Sequence, residues 1–301
     1  MTAYSVLVGA SLLLALFVDV FFTVFHSGGR GGPISHRLNR WSWKAVRAVS
    51  TRSNGSVREG IANFGGPWIT VSTLVVWMFL LIAAFALIYY PFIESFLLST
   101  GTRRAPWAEA IYYSGYNAAT LGLGDLIADS IALRLLSVFQ ALAGFAILSV
   151  SITYLLAVYR ELLMMRTLAV SIDAYFRTVD VVGLASWDDD PPEALARWAE
   201  WATNMLLHAL QAHFQYPILH YFRASERKAA LPVQLARLLD LRREARTDHP
   251  SFAALRGAVE DYIGTVENSF IPAEAKDGRP DNSFRDDTER AHHRLLTYML
   301  Y

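Results

Sequence analysis

Thr120-Leu121-Gly122-Leu123-Gly124-Asp125 is the stretch on which the reading of this chain turns. A short apolar segment of helical character, Pro106 to Ala119, leads into it, and two long apolar runs lie on either side. Glycines at alternate positions open backbone angles that are closed to other residues. In such a strand, consecutive carbonyl oxygens can face the same way, toward an axis. Four copies around that axis would stack rings of carbonyls, which can replace the hydration shell of a bare monovalent cation. Thr120 can add a hydroxyl ring at the inner end, and Asp125 an anionic ring at the outer mouth.

The surroundings of the hexapeptide are those of a membrane protein. The chain has 301 residues, is 53% hydrophobic and carries a formal net charge of zero. Its first apolar run is Tyr4 to Phe25. At about 1.5 Å per residue such a run spans roughly 33 Å as a helix, enough to cross a bilayer core. No basic residue precedes it and no small-x-small site follows, so it reads as a span rather than a cleaved signal. The second run is Trp68 to Tyr90; the third is Ile131 to Val158, broken only by Arg134 and Gln140. Between the first and second runs lie Arg30, Arg37, Arg40, Lys44, Arg47, Arg52 and Arg58 against the single acid Glu59. The positive-inside rule places that loop in the cytoplasm. The N-terminus is then outside, the pore loop enters from outside, and the C-terminal half is cytoplasmic, with the Asp125 end of the hexapeptide facing out.

From about residue 67 to 158 the chain resembles the potassium channel pore family, the two-transmembrane type with a pore loop, here with an extra N-terminal span. The family's usual filter is Thr-Val-Gly-Tyr-Gly-Asp. Leu121 stands for the common Val, and Leu123 for the common aromatic residue, as in the second pore loop of two-pore-domain potassium channels. The resemblance implies K+ coordinated at Thr120, Leu121, Gly122 and Leu123, with Gly124 closing the filter and no cofactor beyond the permeant ion. It places Tyr116 where many members have an acid that partners the filter aspartate, which makes Tyr116 the expected filter support; Glu109 lies too near the helix start for that role. Arg134 stands where a basic residue often opens the inner helix. Gly144 stands at the family's hinge glycine, although close helix packing through a small residue accounts for it equally well. Below it, Leu148, Ile152, Leu155 and Leu156 are the expected lining of the cavity and gate, a ring able to close by dewetting.

Two features of the N-terminal part stand apart from the pore. Asp19, Thr23 and His26 fall at helical spacing on one face of the first span. An acid inside a span invites a functional reading, here a proton- or cation-sensing cluster. The plainer alternative is a polar pin to a neighbouring helix. After the break at residues 27–33, Ile34, Leu38, Trp41, Ala45 and Ala48 recur at helical spacing among Arg37, Arg40, Lys44 and Arg47. This predicts a basic amphipathic helix on the inner membrane face, with anionic lipids as partners. A topology-setting basic loop with no gating role is the alternative.

Residues 160–301 read as a soluble chain, with 17 Lys and Arg against 21 Asp and Glu. The inner helix is expected to continue through 161–182. Asp188, Asp189 and Asp190 with two prolines make a turn. Further helices are expected at about 192–215, 218–246, 250–269 and 284–301, with a loop at 271–283. The segment 91–105, with Glu94, Arg103 and Arg104, is the expected outer turret. No nucleotide-binding glycine motif follows a strand, no catalytic constellation stands out, and no cysteine is present. His208, His213 and His220 are spaced as core or interfacial residues rather than as ligands of one metal.

The predicted architecture is an all-α membrane protein: three transmembrane helices plus a re-entrant pore helix and filter loop, with an all-α cytoplasmic domain. Its domains are 1–26, 27–66, 67–158 and 159–301. One filter per chain predicts a homotetramer in the cell membrane, conducting K+ passively and gated by its cytoplasmic domain. No nucleic-acid partner and no enzyme activity are expected. The rival readings are a weakly selective cation channel and a non-conducting membrane sensor built on an old pore.

Overall fold

The computed structural model describes residues 2–26, 31–52, 55–99, 105–182, 193–224, 226–244 and 250–270. These residues are helical almost throughout, and the chain forms two compact units, residues 1–45 with 67–157 and residues 46–66 with 158–301. Among the described residues, three helices are long and apolar enough to cross a membrane: Ala3–Val24, Asn63–Ser95 and Ile131–Arg177. This is a multi-pass, all-α membrane protein.

The first unit holds α1 (Thr2–Val24), the start of α2 (Pro33–Arg52), most of α3 (Gly55–Tyr89), α4 (Pro106–Ala118) and the first half of α5 (Ile131–Val182). The second run of the sequence is thus part of a longer helix that passes through Pro67, a residue tolerated in a membrane helix whose neighbours satisfy the freed backbone. Helices α1 and α3 pack closely: a Cβ on Gly9 would lie 2.6 Å from the Ala84 carbonyl oxygen. Leu16, Trp77, Leu81, Phe85, Tyr89, Ile93 and Phe96 form the core. After α3, the 3-10 turn Tyr90–Ser95 leads into β1 (Leu97–Leu98), which pairs antiparallel with β2 (Leu126–Ile127), Leu98 opposite Leu126. A two-stranded ribbon therefore ties the outer turret to the segment just past the hexapeptide. Arg103 and Arg104 lie outside the described residues.

The second unit contains the continuation of α5, α6 (Glu193–Gln215), α7 (Leu231–Glu244) and α8 (Pro250–Phe270), with α6 packed along α8. The expected helix over 218–246 is not continuous. A 3-10 turn covers Pro217–Tyr221, Phe222 is extended with φ −89° and ψ 133°, and α7 begins only at Leu231. Pro217 opens the short turn and Pro232 sits at the second position of α7, where its missing N–H is one the helix would not have bonded. Asp188–Asp190, the loop 271–283 and the helix expected at 284–301 lie outside the described residues.

His208 and His213 take separate places, and among the described residues no three His, Asp or Glu side chains converge as a metal site. The His208 ring lies 3.4 Å from the buried Glu161 carboxylate, which also receives Arg160. His213 is 1% exposed, directs Nδ1 at the Ala209 carbonyl 2.9 Å away, and meets the Tyr262 ring edge to face. Burial pushes His213 down from 6.5 to about 4. The unfolded chain therefore takes up a proton that the folded one refuses, and stability falls as pH drops from about 6.5 toward 4, at up to ~1.4 kcal/mol per pH unit. Thermal unfolding of the full chain in detergent, followed by tryptophan fluorescence, should show this acid-side loss. His213→Leu should reduce it without abolishing it, because His220 is also buried and likewise held down, at about 3; an unchanged pH slope in that variant would count against His213 as a source.

Candidate functional site

The hexapeptide is held at the end of α4. Pro106 occupies the first turn of that helix, where a residue lacking an N–H fits best. At the other end the chain unwinds over overlapping bonds: Ala119 N–H to Gly115 O at 3.0 Å, Thr120 N–H to Asn117 O at 3.0 Å and Leu121 N–H to Tyr116 O at 2.8 Å. The carbonyl end of α4 thus faces the start of the hexapeptide, and the partial negative charge of a helix C-terminus favours a cation there.

Beyond that point the backbone alternates. Thr120, Gly122 and Gly124 have φ of 56°, 57° and 75°, while Leu121 and Leu123 keep negative φ. Alternation of hand between successive residues turns neighbouring peptide groups so that amides and carbonyls segregate to opposite sides. Among the described residues no donor reaches the carbonyls of residues 120–124. Leu121 and Leu123 are 64% and 55% exposed in the single chain.

The mouth is braced at successive residues. Asp125 Oδ2 accepts from the Tyr112 hydroxyl at 2.8 Å, and the Asp125 carbonyl accepts from Ser99 N–H at 2.9 Å. The Tyr116 hydroxyl donates to the Leu126 carbonyl at 2.6 Å, and Arg134 Nε to the Ala128 carbonyl at 2.9 Å. Tyr116, expected to bond near Asp125, reaches the carbonyl of the next residue, and the Asp125 carboxylate itself is met from one helix turn earlier. Tyr116 holds Leu126, and Tyr112 takes the Asp125 carboxylate. The two rings meet edge to face at 5.3 Å, and Tyr116 continues through Tyr113 to Tyr89 and Phe96 as an aromatic cluster. If the chain conducts K+, as its sequence leads one to expect, Tyr112→Phe should leave folding and ion preference intact while flux decays faster in low-K+ solution, because only the mouth bond is lost. A decay indistinguishable from wild type would show that this bond does not steady the mouth.

Behind α4, the inner helix α5 supplies two fixed points. Gln140 is fully buried and donates Nε2 to both the Ser114 carbonyl and its hydroxyl, at 2.9 and 2.7 Å, while Ser114 Oγ donates to the Ile82 carbonyl of α3 at 2.7 Å. One polar chain thus links outer, pore and inner helices. Gly144 is the other point. A Cβ there would fall within the van der Waals envelope of the Ala118 carbonyl oxygen, so the glycine is required by the close approach of the pore helix. Of the two readings of Gly144, the structure shows the packing one directly. Leu148, Ile152 and Leu156, four residues apart, form one stripe that is 53%, 51% and 66% exposed; Leu155 lies off it, half-buried.

The polar cluster of the first span splits. Asp19 is fully buried, and its carboxylate accepts the Ile34 N–H at 2.6 Å, the Ser35 N–H at 3.0 Å, the Ser35 hydroxyl and Trp77 Nε1–H at 2.8 Å. Thr23 Oγ1 accepts the Gly32 N–H at 2.9 Å. A carboxylate on one helix thereby caps the N-terminus of another, where free amides and the helix dipole both favour it. His26 is exposed, against the Phe22 ring at 5.1 Å, away from those bonds. The arrangement is a pin joining α1, α2 and α3. Trp77 and Ser35 carried no sequence signal for this role. Tyr112 did, since it lies four residues before Tyr116 on the same helical face.

Residues 76–161 match the family model described as an ion channel. The chain is also 24% identical over 287 residues to the "Uncharacterized membrane protein YdjJ" of Bacillus subtilis (strain 168), covering 92% of this chain and 83% of that one. No solved structure matches significantly. The matched segment runs from within α3, through α4 and the hexapeptide, into α5.

Proposed function

We propose that this chain, whose residues 76–161 match a family model described as an ion channel, assembles as four copies around one K+-selective pore. The observation that carries the proposal is the backbone of residues 120–124: alternating hand, with five successive carbonyls that no donor reaches among the described residues. Unsatisfied carbonyls are costly unless something takes the place of water, and a dehydrated cation does so. Four copies supply the rings. They would also cover Leu121 and Leu123, and bring the stripe Leu148, Ile152 and Leu156 around the inner cavity.

In this reading Thr120, Leu121, Gly122 and Leu123 hold the ion and Gly124 lets the strand pass Asp125. Asp125 sets the charge of the outer mouth, and Tyr112 and Tyr116 support it. The basic loop keeps α2 on the cytoplasmic side, with the N-terminus outside. On α2, Arg37, Arg40, Trp41 and Lys44 are exposed, Trp41 by 76%. That combination suits anionic headgroups, with the indole at the interface. The helical module after residue 158 sets the open probability. The test is flux from liposomes containing the purified chain, under K+ or Na+ gradients. K+ flux well above Na+ flux supports the reading. A ratio near one favours a weakly selective cation pore, which the exposed Leu123 in place of an aromatic brace would explain. Flux of neither ion defeats both and leaves the non-conducting sensor.

A further inference from the structure

Phe222 sits against α3 and α5, at Gly66 and Tyr159. It follows the 3-10 turn Pro217–Tyr221 and closes it, donating its N–H to the Leu219 carbonyl at 3.1 Å. The turn is not a loose tip: Ile218 and Leu219 are each 2% exposed, and Tyr216 N–H bonds the Ala212 carbonyl at the end of α6 at 2.7 Å. Phe222 is thus fixed to α6, and α6 to α8.

Its ring makes two contacts. One is at Gly66, in α3 immediately before Pro67: a Cβ on Gly66 would stand 2.6 Å from Phe222 Cγ and 2.8 Å from its Cδ atoms. The other is at Tyr159 of α5, whose ring meets that of Phe222 edge to face at 6.0 Å and 77°. The outer helix is locally weak at this place. Gly65 and Gly66 have no side chains to pack, and Pro67 cannot donate a hydrogen bond to the preceding turn. A ring seated there biases the bend of α3, while its edge on Tyr159 bears on α5 just past Leu155 and Leu156.

We propose that Phe222 is the positioning residue through which the α6–α8 module sets the resting state of the pore, by wedging between Gly66 of the outer helix and Tyr159 of the inner helix. The proposal rests on the channel reading above and specifies its regulation. The glycine at 66 is then explained by its partner: any side chain would expel the ring. Coupling of this kind needs an element with two arrangements that both sites bias, and a helix weakened at Gly66–Pro67 is such an element.

The test is a cycle in the full-length chain, reconstituted in liposomes: wild type, Phe222→Ala, Gly66→Ala, and both together. Phe222→Ala should change basal K+ flux by roughly threefold or more, with the K+/Na+ ratio unchanged. Gly66→Ala, which displaces the ring, should also shift flux in the wild-type background but have little effect once Phe222 is Ala. Phe222→Leu, which keeps much of the bulk, should restore most of the wild-type behaviour. Unchanged flux in Phe222→Ala, equal effects of Gly66→Ala in both backgrounds, or a change confined to the K+/Na+ ratio would each overturn the wedge. Hydrogen–deuterium exchange of the same proteins gives a measure independent of conduction. Residues 63–70 and 155–163 should exchange faster in Phe222→Ala, and unchanged exchange at both overturns the proposal. If wild type itself carries no flux, the channel reading fails, and exchange alone decides whether the wedge holds the two helix ends. If Phe222→Ala does not fold, Gly66→Ala carries the test alone: it should shift flux and speed exchange at residues 63–70, and no change in either overturns the proposal.

Discussion

Gly122→Ala and Gly124→Ala are expected to abolish selective cation flux while leaving the protein folded and assembled. The reason is backbone hand and not space. Gly122 and Gly124 have φ of 57° and 75°, and no heavy atom lies within 4 Å of where a Cβ on Gly122 would stand. An L-residue held in the left-handed region costs about 1–2 kcal/mol. In the proposed tetramer one substitution is repeated four times, so the loops together bear about 4–8 kcal/mol. That exceeds what a ring of weak carbonyl contacts can absorb, yet it is spread over a loop that lies outside the hydrophobic core. Thr120, at φ 56°, shows that a residue with a side chain can be held in this region when its surroundings impose it. The expected failure is therefore in ion coordination. The check is parallel K+ and Na+ flux, with the oligomeric state measured on the same preparations. Normal selective flux through Gly122→Ala would sink the filter reading itself.

Asp19→Ala should be the most destabilising change in the first span. It strands the Ile34 and Ser35 amides, the Ser35 hydroxyl and the Trp77 indole N–H, all of which point at the Asp19 carboxylate. A buried donor left without a partner costs about 1–3 kcal/mol, and with partial relief by water the sum is about 3–5 kcal/mol. The N-terminus of α2 also loses its negative partner. Asp19→Asn keeps one carbonyl oxygen and should lose less. Thermal unfolding in detergent should rank wild type above Asp19→Asn above Asp19→Ala. If Asp19→Ala melts with wild type, Asp19 is no pin. A span that senses protons or cations through His26 would instead show its effect in His26→Gln, which the structure gives no reason to expect, since His26 lies outside the Asp19 bonds.

Helix length, apolar runs, the proline at the start of the pore helix and the alternate glycines are properties of neighbouring residues, and they sufficed to determine three spans, a short pore helix and a strand of unusual backbone. The long inner helix through residue 182 was legible for the same reason: no glycine or proline interrupts its periodicity between Gly144 and Gly183. Tertiary structure decided the rest, wherever the partner was distant in sequence. Tyr112 and Tyr116 are equivalent by local pattern, one turn apart on one face, and only the register of the pore helix against residues 125–126 assigns Asp125 to one and Leu126 to the other. Gly144 reads equally as a flexible or a packed glycine until the Ala118 carbonyl is seen against it. Asp19 reads as a sensor or a pin until Trp77 and the start of α2 converge on it. A hydrogen bond or close contact between remote residues leaves no periodic trace in the chain, because it depends on how two elements approach and not on what lies beside either residue. Phe222 is the extreme case: in sequence it is one aromatic after a proline turn, and only the fold sets it against a glycine 156 residues earlier.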